Sequence, residues 1–189
     1  MAAIDEIYRY LNEIAPFSTA MDFDNAGFLV GDGKTDVTKA LVTLDITAQS
    51  VRQAREKGAQ LIVSHHPVIF HPLKRLLSNS VPYLLAKEGI GAICAHTNLD
   101  MAPGGVNDCL AAALELSGRM EVAFYVELPC CVMGTLAQPM EPKSFAAFVK
   151  ERLSCEGIRY VAGNRPVRKV ALCSGAGGEF LFDAMEKGA

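Results

Sequence analysis

Several features that define large protein classes are absent from this sequence. Its six cysteines form no Cys-x-x-Cys pair, which argues against a thiolate zinc site or a thioredoxin-type motif. The 18 lysines and arginines are outnumbered by 21 aspartates and glutamates, so no basic surface is expected to neutralise nucleic-acid phosphates. No apolar run approaches the roughly 20 residues that span a bilayer. We therefore expect neither a nucleic-acid partner nor a membrane partner.

A secretory signal is also missing from the start of the sequence. The first six residues carry no basic segment followed by an apolar stretch, which a signal peptide would need. Half of the residues are hydrophobic and only 21% are charged, which is typical of a globular protein. Most of the cysteines fall in apolar runs, where a free thiol packs as a small hydrophobic group. These features predict a cytoplasmic protein with reduced thiols.

The first part of the chain alternates between strand-like and helix-like segments. Residues 40–45, 61–64 and 90–95 are apolar runs of strand length. A helix after the first of them begins at Thr47, a favourable N-cap residue, and ends at Gly58. This alternation predicts βαβ crossovers and an α/β fold, with a mixed or largely parallel sheet flanked by helices.

The pattern of segments changes near residue 122. Residues 1–121 are expected to form a first α/β lobe, and residues 122–189 the start of a second. Strands are predicted at 122–128, 131–136, 158–161 and 167–173. The last of these leads through a glycine-rich turn into a helix, a unit that normally feeds a further strand. We therefore expect the second lobe to be incomplete.

Polar side chains follow two of the predicted strands of the first lobe. His65 and His66 come directly after one strand, and His96 and Asp100 follow the next. The carboxyl ends of parallel strands open into the crevice where ligands bind, and neutral imidazole is the commonest metal ligand. Adjacent histidines converge only where a strand ends and the backbone turns. The sequence therefore favours a metal site, the alternative being a hydrogen-bonded histidine pair that caps the strand.

The candidate residues around this pair differ in their expected roles. Asp100 alone would be typical of a turn cap, but beside two imidazoles a carboxylate that bridges cations is favoured. His96 could ligate an ion directly, and we favour the alternative that it orients a ligand through a hydrogen bond. Asp45 also ends a strand at this edge and is an equal candidate for a helix start.

Residues outside the strand ends are weaker candidates. His71, Lys74 and Arg75 lie in a loop over the same edge, where they would either contact substrate or be solvated. Asp24 and Asn25 are expected to hold an Asx-type turn, the alternative being a role in the site. No catalytic residue is assigned.

Taken together, these motifs resemble a known family. The segments that carry the resemblance are Ser64-His65-His66-Pro67, His96-Thr97-Asn98-Leu99-Asp100, residues 23–31, residues 165–167 and residues 173–178. In this order they are similar to the Nif-three-like dinuclear metal centre family, whose bacterial members are labelled GTP cyclohydrolase I type 2 homologues. The resemblance covers essentially the whole chain.

The resemblance carries several implications for function. It implies a two-lobed α/β protein with two divalent metal ions (zinc, iron or manganese), assembled as a homohexamer. By motif match the metal ligands would be His65, His66 and Asp100. The implied activity is metal-dependent hydrolysis of a nucleotide-like substrate. The alternative is a metal-stabilised scaffold or regulatory protein without catalysis, or an inactive truncated member.

Two departures from the family pattern stand out. The family has a further histidine and glutamate, four residues apart, near the C-terminus, whereas no histidine follows His96 here. We therefore expect a C-terminally truncated member with a reduced ligand set. Phe23 stands where the family usually has tryptophan.

Overall fold

The computed structural model describes all 189 residues and divides into two compact units, Met1–Ala102 and Pro103–Ala189. This division lies nearer the N-terminus than the expected boundary after residue 121, because the helix at Val106–Ala113 belongs to the second unit. None of the helices combines the length and apolar character that crossing a membrane would require.

The first unit contains six strands and four α-helices. In chain order these are β1 (Ala2–Ala3), α1 (Ile4–Ile14), β2 (Gly27–Val30), β3 (Asp36–Val37), β4 (Ala40–Thr43), α2 (Ala48–Lys57), β5 (Leu61–Ser64), α3 (Val81–Glu88), β6 (Gly91–Cys94) and α4 (Thr97–Met101). The main sheet has the order β2-β6-β5-β4. Strands β4, β5 and β6 are parallel, and β2 runs antiparallel to β6. The predicted α/β class with a mixed sheet and flanking helices is confirmed.

Both faces of this sheet are buried, because successive side chains along a strand point to opposite faces. Leu61 and Ile93 pack with Ile4 of α1 on one face. Ile62 and Ala92 pack on the other face with residues of α2 and α3. Leu61, Ile62 and Ile93 are fully buried, and each contributes about 1.5–3 kcal/mol through removal of its side chain from water. The sheet therefore forms a rigid base for the residues that follow its strands.

Helix α2 begins and ends as its sequence predicts. The Thr47 hydroxyl accepts a hydrogen bond from the Ser50 N–H at 3.1 Å, which satisfies one of the N–H groups left over at the helix start. Gly58 ends the helix with φ +65°, a left-handed conformation that glycine adopts without strain. The predicted caps at Thr47 and Gly58 are confirmed.

The second unit is built on an antiparallel sheet. Its elements are α5 (Val106–Ala113), β7 (Ser117–Tyr125), β8 (Leu128–Met140), α6 (Pro142–Arg152), β9 (Val167–Leu172) and α7 (Leu181–Glu186). The strand order is β7-β8-β9, with both pairs antiparallel. Val122, Cys131 and Met133 are buried with Ala184 of α7 and form the core cluster of this sheet.

Two local predictions for the second unit are wrong. Residues 158–161 form no strand, and Val161 in this segment is 96% exposed, so its apolar side chains do not reach a sheet. The break between the strands predicted at 122–128 and 131–136 lies instead at residues 126–127, and Pro129 is within β8, paired with Phe124. A proline is tolerated there because the pairing of β8 with β9 begins only at Val132, so that edge of β8 needs no N–H donor at Pro129.

Candidate metal centre

The parallel strands of the first unit end level with one another. The last residues of β4, β5 and β6 are cross-strand neighbours in a single row. His65 and His66 follow β5 directly, His96 stands two residues after β6, and Asp45 stands two residues after β4. All four side chains therefore start from the same edge of the sheet, where α/β proteins bind ligands.

Three histidines converge at this edge. His65, His66 and His96 each offer a ring nitrogen, and these nitrogens all lie within 4.8 Å of one another. The ring centroid of His65 is 5.1 Å from those of both His66 and His96. Of the two roles expected for His96, direct ligation fits the position of its ring nitrogen within reach of those of His65 and His66.

Asp100 joins the cluster beside His65. Its Oδ1 lies 3.5 Å from Nε2 of His65, and both side chains are largely buried. On the other side of the same ring, Nδ1 of His65 lies 3.0 Å from the carbonyl oxygen of Ala95. A carbonyl only accepts, so this contact places a proton on Nδ1, and Nε2 is the ring nitrogen that faces Asp100.

Carboxylates hold the other two rings. His66 Nδ1 lies 2.7 Å from Oδ1 of Asp45, and His96 Nδ1 lies 2.8 Å from Oδ1 of Asp24. In each case the carboxylate accepts the Nδ1–H, so Nε2 is the nitrogen with a lone pair to offer. This arrangement, in which a ligating imidazole donates its other N–H to a carboxylate or carbonyl, is the usual one at metal sites.

The two carboxylates differ in their surroundings. The side chain of Asp24 is fully buried, whereas that of Asp45 is 57% exposed. Burial by itself raises the pKa of Asp24, but the hydrogen bonds donated by Thr97 and His96 outweigh it, and the pKa lies below its ordinary value. Asp24 is therefore ionised at neutral pH and fixes the His96 ring through a charged hydrogen bond.

The segment after β6 uses its polar side chains to hold this arrangement. The Thr97 hydroxyl donates to Oδ2 of Asp24 at 2.6 Å, and the Thr97 N–H donates to the same oxygen at 3.1 Å. Asn98 is fully buried. Its side chain accepts from the His96 N–H at 2.9 Å and donates to the Ala15 carbonyl at 2.7 Å. The backbone that carries His96 is thus fixed on both sides.

Cys94, the last residue of β6, is not a ligand of the same kind. Burial, followed by the nearby negative charge of Asp24, raises the pKa of its thiol to about 12. The thiol therefore stays protonated at neutral pH, and its Sγ lies 3.0 Å from the His65 carbonyl as a donor. Because the thiolate is the form that binds metals, the donor set of this edge consists of imidazoles and carboxylates.

The loop residues considered as substrate contacts are exposed, and the loop histidine does not join the cluster. His71, Lys74 and Arg75 are exposed, and His71 is not part of the three-histidine group. The ring of His71 instead packs edge-on against Phe70, with 4.8 Å between centroids.

Asp24, for which a turn was the favoured role, contacts the His96 ring of the cluster. It stands three residues before β2, and β2 runs antiparallel to β6. The start of an antiparallel strand lies at the same edge as the ends of the parallel strands, which is why Asp24 reaches His96 across 72 residues of sequence. The feature of the sequence that pointed to Asp24 was the Asp24-Asn25 pair, which stands directly before a short apolar run.

The donor set fits a divalent transition metal. Three imidazoles whose Nδ1 atoms are held by hydrogen bonds, together with an adjacent carboxylate, are ligands that zinc, iron and manganese accept. The contacts of Asp24, Asp45 and Ala95 with the Nδ1 atoms add the outer hydrogen bonds that such ligands require.

Comparison with known proteins identifies relatives along the whole chain. The sequence model of the family described as Duf34/NIF3 (NGG1p interacting factor 3) matches residues 2–189. A Clostridium perfringens protein named GTP cyclohydrolase 1 type 2 homolog is 30% identical over 194 residues, which cover 98% of this chain and 74% of that protein. A Staphylococcus aureus protein of the same name is 43% identical over 116 residues, 60% of this chain and 32% of that protein. The matched part is thus about a third of the staphylococcal protein's length.

Solved structures share the fold. The crystal structure of a hypothetical protein from Staphylococcus aureus superimposes with a TM-score of 0.91 at 29% identity, covering 99% of this chain and 76% of that one. A Bacillus cereus protein related to NIF3 gives a TM-score of 0.90 at 24% identity, covering 100% of this chain and 81% of that one. At 24% identity the second likeness concerns the fold alone.

Proposed function

Because this chain belongs to the Duf34/NIF3 family, we propose that it is a metal-dependent hydrolase that acts on a nucleotide-like substrate. The observation that carries the proposal is the cluster of His65, His66 and His96, whose ligand atoms lie within 4.8 Å of one another. The printed name of the Clostridium perfringens relative, GTP cyclohydrolase 1 type 2 homolog, is the reason for choosing a nucleotide.

In this proposal His65, His66 and Asp100 hold divalent metal, with His96 as a further ligand. Zinc, iron and manganese all accept this donor set, and the family resemblance suggests two ions. A bound divalent ion supplies Lewis acidity, which polarises a substrate bond and activates water at neutral pH.

The surrounding residues keep the ligands ready to bind. Asp24, Asp45 and the Ala95 carbonyl accept the Nδ1–H of the three rings, which leaves Nε2 as the ring nitrogen that would bind metal. The buried side chains of His65 and Asp100 limit the access of water on one side of the cluster, whereas the His66 side chain is 46% exposed. A substrate would therefore approach from the side of His66.

The exposed loop residues Lys74 and Arg75 would meet the anionic part of such a substrate. They carry positive charge at neutral pH on the same loop as His71, and a basic pair binds phosphate as a set of point charges and donors.

We further propose that the working form is a homo-oligomer, the hexamer that the family resemblance implies. Light scattering after size-exclusion chromatography would measure its mass.

The metal site is tested by substitution of its most exposed histidine. His66→Ala removes one ligand without opening a cavity in the core, and we expect loss of bound metal in elemental analysis after purification and dialysis. His71→Ala is the matched control, since it removes an exposed histidine outside the cluster. Wild-type metal stoichiometry in His66→Ala would contradict the assignment.

Catalysis is tested separately with a panel of nucleotides. Turnover that is lost on chelation and restored by a single added metal would support the hydrolase. Tight metal binding without turnover of any nucleotide, in a protein whose metal removal lowers thermal stability, would favour the alternative of a metal-stabilised scaffold.

A further inference from the structure

Two exposed aromatic rings, Phe23 and Phe70, form a pair, and Phe23 directly precedes the Asp24 that bonds to His96. Phe23 is 62% exposed and Phe70 is 40% exposed. Their ring centroids lie 6.4 Å apart, with 47° between the planes. Single exposed apolar residues are common on protein surfaces, but a pair of exposed aromatics from separate segments offers a continuous face on which a flat molecule can stack.

Hydrogen bonds hold both members of this pair in place. Phe23 directly precedes Asp24, whose buried carboxylate is bonded to His96 and Thr97. Phe70 directly follows Ile69, whose carbonyl accepts a hydrogen bond from the Asn25 side chain at 2.6 Å. The backbone segments that carry the two rings are therefore held together and are tied to the residue that anchors the His96 ring.

A third ring extends the pair along the loop. His71 meets Phe70 edge to face, with 4.8 Å between centroids and 76° between planes. Lys74 and Arg75 follow within four residues on the same exposed loop. Along this segment of the sequence the aromatic residues come first and the positive charges follow, an order that suits a ligand with a flat ring at one end and an anionic group at the other.

We propose that Phe23 and Phe70 form a stacking subsite for the purine base of the substrate. The choice of a purine rests on the proposed function, whereas the aromatic pair is observed independently of it, from the distance between the rings and their exposure. Since the planes of the two rings are inclined by 47°, the base stacks on one ring and meets the other at its edge, both of which are favourable aromatic arrangements. Such stacking supplies affinity and recognises the ring of the substrate, while the histidine cluster holds the metal.

The absence of tryptophan from the sequence allows a direct test. Phe23→Trp keeps an aromatic face and introduces a single tryptophan as a fluorescent reporter. The protein is titrated with guanosine 5′-monophosphate and, separately, with ribose 5-phosphate, both in EDTA so that metal contributes nothing. We expect saturable quenching of the tryptophan emission by the nucleotide and none by the sugar phosphate.

Two further variants make the test specific. Adding Phe70→Leu to the reporter removes the second ring but keeps an apolar side chain, and we expect the Kd for the nucleotide to rise about tenfold, within the range found for loss of one base–aromatic stack. Phe182→Trp, at a position in the second unit that is 74% exposed, reports collisional quenching and should show no saturation. Equal quenching by ribose 5-phosphate, or an unchanged Kd in the Phe70→Leu double variant, would overturn the subsite.

Failure of the subsite and failure of the metal assignment give different results. Adding His66→Ala to the reporter should remove metal and leave the quenching curve in EDTA unchanged. Retained metal in that variant would count against the proposed function but not against stacking. If Phe70→Leu instead changes the size of the protein in sedimentation, the pair is an interface between copies of this chain, and the subsite is refuted.

Discussion

Replacing Asp24 by asparagine is the most informative single change to this site. The amide has nearly the shape of the carboxylate but carries no charge and presents an N–H₂ group where one oxygen now accepts. In the native site the His96 Nδ1–H and the Asn25 N–H approach Oδ1 at 2.8 and 2.7 Å, and Thr97 donates twice to Oδ2. At least one of these donors loses its acceptor in the variant.

The expected consequence is a loss of metal affinity through the orientation of His96. Substitution of an outer hydrogen-bond partner typically lowers metal affinity about 10- to 100-fold. The upper part of this range applies to Asp24, because its side chain is fully buried and water cannot replace it as acceptor. The unmatched donor also lowers the free energy of unfolding by about 1–3 kcal/mol.

The matched control is Asp45→Asn, the equivalent change beside His66. The Asp45 side chain is 57% exposed, so water can take over as acceptor, and we expect its effect on affinity to be less than about tenfold. Titration calorimetry with Zn²⁺ and Mn²⁺ measures both variants. Wild-type affinity in Asp24→Asn, or a larger loss in Asp45→Asn than in Asp24→Asn, would refute the role assigned to the buried carboxylate.

Three further substitutions test the supports of the site, each measured as the free energy of unfolding in urea. Asn98→Ala leaves the two backbone groups bonded to this fully buried side chain without their partner, and we expect a loss of about 2–4 kcal/mol; a loss below 1 kcal/mol would mean that water replaces the amide. At Gly31 the backbone has φ +114°, and an added Cβ would lie 2.8 Å from the Gly91 Cα. We therefore expect Gly31→Ala to lower the free energy of unfolding by at least about 1–3 kcal/mol. An unchanged free energy of unfolding would show that the turn can move. Thr47→Ala removes the cap of α2 and should cost about 1 kcal/mol, with Thr47→Ser as the control that retains the cap.

The part of the site that follows the parallel strands could be predicted from sequence. His65, His66 and Asp45 each come directly after, or close to, a short apolar run of strand length. Since parallel strands joined by helices end at one edge, their convergence required only the βαβ pattern. His96 follows the same rule, and its Nδ1 partner is what the sequence could not reveal.

The contribution of Asp24 could not be predicted because it depends on strand pairing. β2 is a short strand of four residues, and nothing in residues 27–30 indicates that it pairs with β6 or that it runs antiparallel. In the second unit the segment 158–161 is the opposite case, because a strand is predicted there from the sequence and none forms. It has the apolar residues of a strand, but Tyr160 and Val161 are exposed, and β8 pairs directly with β9 without this segment.

The level ending of β4, β5 and β6 has a consequence for insertions and deletions. These strands are four residues long, and side chains alternate between faces with a period of two. One residue added inside β5 would turn His65 and His66 through half a rotation and exchange the inner and outer sides of the strand. The same insertion in the exposed stretch between Lys74 and Asn79 leaves the rotation untouched. Natural length variation in such proteins should therefore accumulate in the exposed stretch and spare the strand.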